Sequence, residues 1–321
     1  MSDENQHWVP KFLIKQFADT DGRVFCMDIQ SGKISKPPPR RAASGVGFNN
    51  FIIDGVSVSF EDRLEKIETA AAPILKRIIE AKSVANLGSE ERGRVAEFIA
   101  AQSFRTDAFY KGLQVSSSRQ EFGAIFRELW RGAFLISAEI ARRKWVVMTI
   151  EHSDVFYLGD HPVVLQNTDN PEAAQNLGFD VKGTEIFLPL TPKCALYMPC
   201  TSVSEQRIGA YLDALAAPDN LRRANELGVE TSISDEEFLA LAQRVLDGFG
   251  PLYRSLTDGV AYVASPENVE NLNYLQCAWA HAALYSNRRD FTFAKHVLSK
   301  TPQYRELVKV RLVTYGYGAP L

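Results

Sequence analysis

Val155-Phe156-Tyr157-Leu158-Gly159-Asp160-His161-Pro162-Val163-Val164-Leu165 is an apolar run, a polar interruption closed by a proline, and a second apolar run. The first run is short, β-branched or aromatic and bounded by Gly159, the pattern of a buried strand. Val163 to Leu165 repeats it. Proline lacks an N–H and disfavours helix in the residue before it, which drives His161 to an extended or turn conformation. The flanks are therefore expected to bury, holding Asp160 where the first strand ends. A carboxylate there is either a turn residue bonding nearby backbone N–H groups or a working group at the mouth of a pocket.

Around this turn the period is that of a sheet. Trp145 to Ile150, Val155 to Leu158, Val163 to Gln166, Glu185 to Leu190 and Ala195 to Met198 read as strands of an antiparallel meander, with a longer loop from Thr168 to Gly183. Upstream the period is helical. Phe60 to Lys82 carries Phe60, Leu64, Ile67, Ala71, Ile74 and Ile78 on one side; Ser59 and Asp62 suggest a capping box, and Pro73 is expected to kink or divide the helix. Ser89 opens a helix to about Val115, and Arg119 to Lys144 is another, its apolar face widened by Phe134 and Leu135. Nearer the start, Pro10 fits a first helical turn. Arg23 to Ile29 and Lys33 to Ser35 read as a hairpin, and Pro37 to Arg41 as an extended connector. Beyond the sheet, Asp235 to Gly248 and Pro266 to about Asn287 are predicted helices.

The pattern gives an α+β fold, a helical layer packed on a central, mainly antiparallel sheet. Residues 1–321 are expected to form a single integrated domain: N-terminal hairpin and helices at 1–144, sheet-rich core at 145–200, helical C-terminal part at 201–321.

A hydrophobic content of 45% and a charged content of 23% are ordinary for a globular protein, and a net charge of -3 argues against a general nucleic-acid or membrane footprint. A local basic stretch remains: Arg288, Arg289, Lys295, Lys300, Arg305, Lys309 and Arg311 face only Asp290 and Glu306 along the segment, which could meet nucleic acid or an anionic small molecule. Cys26, Cys194, Cys200 and Cys277 show no C-x-x-C spacing, and free thiols are expected. The polar, acidic N-terminal residues and the lack of a run of about 18 apolar residues point to a cytoplasmic protein without membrane contact. Gly45-Val46-Gly47 lacks the third glycine of a nucleotide loop, and no motif names a cofactor.

Polar residues on apolar helix faces carry the functional signal. Gln102 and Arg105 interrupt the stripe of Val95, Phe98, Phe109 and Leu113; Asn273 and Gln276 interrupt that of Val269, Leu272 and Trp279. A buried guanidinium needs a carboxylate, carbonyls or an anionic ligand. One reading is a structural network, with Arg105 paired to Asp160 and Asn273 bonding backbone. The other is a polar pocket that binds a small anion or a phosphate. His7 ahead of Pro10 is either a hydrogen-bonded core residue or a catalytic base. A metal held by His7, Asp160 and His161 can be imagined, but the spacing matches no metal motif and no metal is assigned.

His7-x-Val9-Pro10-x-Phe12-Leu13-x-x-x-Phe17, Gln102-x-x-Arg105-Thr106, Leu158-Gly159-Asp160-His161-Pro162-Val163, Pro189 to Pro192 and Asn271-Leu272-Asn273 form an ordered set. The set resembles the signature of the domain of unknown function family 4238, found mainly in bacteria. Gly159 departs from it, since the family usually has serine there, and His161 falls at a variable position. The resemblance brings no activity with it. It implies one α+β domain whose recurring polar residues are His7, Gln102, Arg105, Asp160 and Asn273.

Two functions follow. The first is a hydrolase or nuclease-like phosphodiesterase, with His7 and Asp160 catalytic and Gln102, Arg105 and Asn273 binding substrate. The alternative is a non-catalytic module for an anion, nucleotide or protein, in which the same residues form a structural network.

Overall fold

The computed structural model describes residues 5–53, 56–107, 109–110, 119–168, 177–229 and 232–305, with the backbone alone for 52–53 and 119–130. Among these residues the fold is α+β, with eight helices and several mainly antiparallel sheets. The chain opens with β1 (Asn5–His7), which pairs antiparallel with β4 (Ser44–Val46). Between them lie α1 (Lys11–Gln16), the hairpin β2 (Phe25–Asp28) with β3 (Ile34–Ser35), and a short 3-10 turn at Pro39–Arg41. That turn corrects the expected extended connector. Pro38 is extended, but Pro39 opens a helical turn, where its missing N–H has no partner to lose.

Next comes a hairpin that the residue pattern did not announce, β5 (Asn50–Ile53) with β6 (Val56–Ser59). The helix α2 (Glu61–Ala81) is one unbroken element: Pro73 gives up a hydrogen bond without dividing it. Leu64, Ile67, Ala71, Ile74, Leu75 and Ile78 bury its inner face. Phe60 rather than Ser59 stands at its cap, with no side-chain hydrogen bond. The next helix, α3 (Ser89–Phe104), stops short of the expected Val115; residues 111–118 lie outside the described set. Then α4 (Arg119–Arg142) follows, on which Phe134 and Leu135 face solvent at 75% and 59% exposure instead of widening the core face.

Two sheets hold the centre. The larger runs β12 (Tyr262–Val263), β7 (Val146–Thr149), β11 (Cys194–Met198), β10 (Thr184–Thr191), β9 (Val164–Asn167), antiparallel except for the parallel β12–β7 pair. The second runs β3-β2-β13-β8, with β8 at Leu158–Gly159 and β13 at Ala283–Ser286. The stretch from Val155 to Leu165 is therefore not two neighbours of one meander. It leaves the second sheet at Gly159 and enters the first at Val164, and every residue in it is buried.

The C-terminal part has more helix than expected. A long pair, α5 (Thr201–Glu226) and α6 (Asp235–Asp258), packs side by side, and α6 outruns its predicted end at Gly248. Its start is a capping box of Ser234 and Glu237. The helix α7 (Pro266–Trp279) ends eight residues before the expected Asn287, because Ala283 to Ser286 become a central strand. An additional helix, α8 (Thr292–Lys300), closes the described chain with a 3-10 turn at Pro302–Arg305. One apolar cluster runs from Val9 to Tyr285, and a second, of Met27, Ile29, Tyr157, Leu284, Phe291 and Leu298, fills the space behind the second sheet. No helix of the described residues is long and apolar enough to cross a membrane.

Candidate functional site

The end of α3 is the point to which the polar side chains return. Arg105 still donates its N–H to Ala101, but its backbone (φ -93, ψ 58) has left the helix, and Thr106 starts a new turn by accepting from the Tyr110 N–H. Side chains that follow one another at such a break leave in different directions. Three consecutive ones reach three separate elements. Arg105 Nη1 lies 2.5 Å from Glu68 Oε1 on α2; Thr106 Oγ1 lies 3.0 Å from His161 Nδ1 in the central turn; Asp107 Oδ2 lies 3.6 Å from His281 Nε2 beyond α7.

On the Arg105 side the N-terminal ribbon packs over a cluster of polar side chains. Gln102, one turn before Arg105, donates from Nε2 to the Trp8 carbonyl at 2.7 Å. Asn49 donates from Nδ2 to Glu61 Oε2 at 2.6 Å, and its N–H is taken by Gln6 Oε1 at 2.6 Å. Trp8, Phe48, Tyr110 and Phe51 form an aromatic chain with successive centroids 5.0 Å apart. His7 is half-buried, and burial lowers its pKa; a hydrogen bond to the Pro39 carbonyl works the other way, the Arg105 and Lys11 charges lower it further, and Glu61 raises it. Burial likewise holds the Tyr110 phenol protonated.

Several buried atoms of this cluster have no hydrogen-bond partner: Arg105 Nε and Nη2, Trp8 Nε1, His7 Nε2, Asn49 Oδ1 and Gln102 Oε1. Glu68 occupies one end of the guanidinium and leaves free the Nε–Nη2 edge, the edge that grips a carboxylate or phosphate with two parallel bonds. An unmet buried donor costs about 1–3 kcal/mol, so a cluster of them marks either a site for a bound group or for ordered water.

Asp160 has a different task. Its Oδ1 accepts the His281 N–H and its Oδ2 the Ala282 N–H, both at 2.7 Å, tying the central turn to the link between α7 and β13. The expected Arg105–Asp160 pair is thus replaced by Arg105–Glu68, which the spacing along α2 did not reveal. Asn273 and Gln276 act as a strand substitute. Asn273 Oδ1 accepts the Tyr157 N–H at 2.7 Å and its Nδ2 donates to the Val155 carbonyl at 2.9 Å. Gln276 Oε1 accepts the Gly159 N–H at 2.6 Å and its Nε2 donates to the Pro162 carbonyl at 3.1 Å. A Cβ at Gly159 would stand 2.9 Å from Gln276 Oε1, so a side chain here would have to displace that amide.

His7, Gln102 and Arg105 therefore belong to one polar cluster. Asp160 is linked to it through its neighbour His161 and Thr106, and Asn273 spends its amide on the Val155 and Tyr157 backbone. Glu61, Glu68, Asn49, Asp107 and His281 escaped the sequence reading. The helix extended in error to Asn287 hid His281, and the two glutamates sit on a helix that reads as ordinarily amphipathic. Among the described residues no group of three or more His, Cys, Asp or Glu could hold a metal ion. In the basic segment, Arg288 donates to the Ser153 carbonyl and Arg305 to that of Gln30, while Lys309 and Arg311 lie outside the described residues.

The chain belongs to the family described as "Protein of unknown function (DUF4238)", whose model matches residues 5–130 and 134–290. No curated protein and no solved structure matches it.

Proposed function

We propose that the protein binds a small ligand carrying an acidic group, carboxylate or phosphate, at the cluster of His7, Gln102 and Arg105. The observation that carries this reading is the free Nε–Nη2 edge of a guanidinium that is only 3% exposed and already neutralised by Glu68 at its other end. The buried Arg143 is spent more fully, with Nη1 on the Thr184 and Met198 carbonyls and Nη2 on that of Phe179, so that its Nε alone is left without a hydrogen bond. Residues 1–321 act as one domain in this reading, supported by the apolar cluster that reaches from Val9 to Tyr285. Free thiols support a cytoplasmic setting. The test is thermal denaturation with phosphate, phenyl phosphate, acetate and citrate in excess: a bound acid raises the midpoint by mass action. Arg105→Lys keeps the charge for Glu68 but loses the two-pronged edge, and is expected to abolish the rise.

A second reading makes the same cluster hydrolytic, a nuclease-like phosphodiesterase. Its support is His7, whose Nε2 is unpartnered and whose lowered pKa keeps it neutral and able to accept a proton at pH 7. Arg105 would hold the phosphate. Asp160 would position the turn rather than touch substrate, and the basic residues after Asn287 would lead a polynucleotide in. Hydrolysis of a chromogenic phosphodiester and of DNA and RNA, with and without magnesium or manganese, decides it. Absence of turnover in the wild type, or unchanged turnover in His7→Gln, ends that reading.

A further inference from the structure

The unmatched atoms around Arg105 are of two kinds, and the difference narrows the ligand. Arg105 Nε and Nη2 and Trp8 Nε1 are donors, the set that an acid would satisfy. Asn49 Oδ1 and Gln102 Oε1 are acceptors, on side chains 0% and 2% exposed. His7 Nε2 joins them while the ring is neutral, since its other nitrogen serves Pro39. A fully ionised anion would meet the donors and bring no N–H or O–H to the acceptors, and the hydroxyls of a phosphate would serve only some of them. The charges point the same way. Arg105 and Lys11 are balanced by Glu61 and Glu68, so the cluster has no surplus to neutralise a dianion.

We propose that the ligand is a zwitterion, an α-amino acid or a close relative, with its carboxylate on the Arg105 edge and its ammonium among Asn49 Oδ1, Gln102 Oε1 and His7 Nε2. The inference rests on the acid-binding reading above and goes beyond it in the second group it assigns. Such a ligand brings equal charges of both signs, keeps the local balance, and supplies N–H donors to the acceptors that a plain acid leaves empty. The Trp8–Phe48–Tyr110 wall offers its side chain an apolar surface. The orphaned atoms are shut off from solvent, so the ligand enters by a displacement of the β1–β4 ribbon, which the Gln102–Trp8 bond ties to α3.

The experiment is calorimetric titration of the full chain with each proteinogenic amino acid, with the N-acetyl and carboxamide derivatives of any that bind, and with phosphate and phenyl phosphate. At least one free amino acid is expected to bind, to lose about tenfold or more in affinity on either derivatisation, and to slow amide exchange in residues 5–8. Arg105→Lys, which retains the Glu68 pair, is expected to remove binding; Asn49→Ser, which shortens the acceptor, to weaken it. If phosphate or phenyl phosphate binds and no amino acid does, the zwitterion is overturned and the acid-binding reading stands. Binding that survives N-acetylation also overturns it. If none of the probes binds the wild type, ordered water alone fills the site and both readings fall.

Discussion

The Thr106 hydroxyl lies 3.0 Å from Nδ1 of His161, fully buried, and it joins the break after α3 to the turn that crosses between the two sheets. The same oxygen accepts the Phe109 N–H at 3.2 Å, so one hydroxyl both starts a helical turn and anchors a distant loop. Thr106→Val, equal in shape but without the hydroxyl, is expected to lower stability by about 2 kcal/mol. Thr106→Ser should retain most of it. Urea denaturation of the two variants checks this.

Removal of one partner of a buried ion pair leaves the other charge without compensation. Glu68 is a quarter exposed, which reduces the loss, and Glu68→Ala is expected to cost about 2 kcal/mol, below the 3–5 kcal/mol of a fully buried pair. Replacing both residues, Arg105→Met with Glu68→Leu, should recover most of that stability while ligand binding stays absent. A double-mutant cycle measured by denaturation separates the pair from its surroundings.

At Gly159 the space for a side chain is taken by the Gln276 amide. Gly159→Ala places a methyl 2.9 Å from Gln276 Oε1 and 3.4 Å from the Gln276 carbonyl, and is expected to destabilise by about 1–3 kcal/mol. In a Gln276→Ala background the added methyl should cost clearly less, because the flexible clash is gone. Equal cost in both backgrounds would assign the strain to the backbone contact alone.

The His7 pKa is depressed in the folded protein from 6.5, chiefly by burial. Above the unfolded value the ring is neutral in both states and contributes no pH dependence. As pH falls below 6.5 the unfolded chain takes up a proton that the folded one resists, so stability declines through that window. His7→Gln is expected to flatten this part of the stability curve between pH 7 and pH 5. Proton NMR of the ring should show a midpoint under 6.5.

The thiols differ in reactivity. Burial pushes Cys26 up to about 11 and Cys194 up to about 12. Burial also pushes Cys200 upward, but hydrogen bonds from the Ser202 side chain and the Gly183 and Ser202 backbone, with the Arg143 charge, outweigh it and leave its pKa below the ordinary value. Iodoacetamide at pH 8 should therefore modify Cys200 before Cys26 and Cys194, as read by peptide mass spectrometry. Arg143 sits behind it, bound to three carbonyls.

Local pattern reached far into this protein and stopped at identifiable residues. Leu64, Ile67, Ala71, Ile74 and Ile78 recur at helical spacing and all are buried on α2, because one face of a helix meets one environment. The strands from Val146 to Met198 follow from β-branched runs between breakers in the same way. Ala283 to Ser286 did not: four apolar or small residues directly after an amphipathic helix continue its period, and only pairing with β2 on one side and β8 on the other makes them a strand. Val155 to Tyr157 fail for a related reason, since the amide of Asn273 takes the hydrogen bonds that a neighbouring strand would have supplied.

From the sequence by itself came the α+β class, the free thiols, and the fact that Gln102, Arg105, Asn273 and Gln276 sit on faces otherwise apolar. Tertiary structure alone decided their partners: Glu68 rather than Asp160 for Arg105, backbone for Asn273, and an orphaned edge beside His7. Secondary structure is set by neighbours a few residues apart, whose periodicity is written along the chain. The satisfaction of a buried polar group depends on atoms such as Glu68 and Trp8, whose approach is fixed only when the helices and sheets have packed.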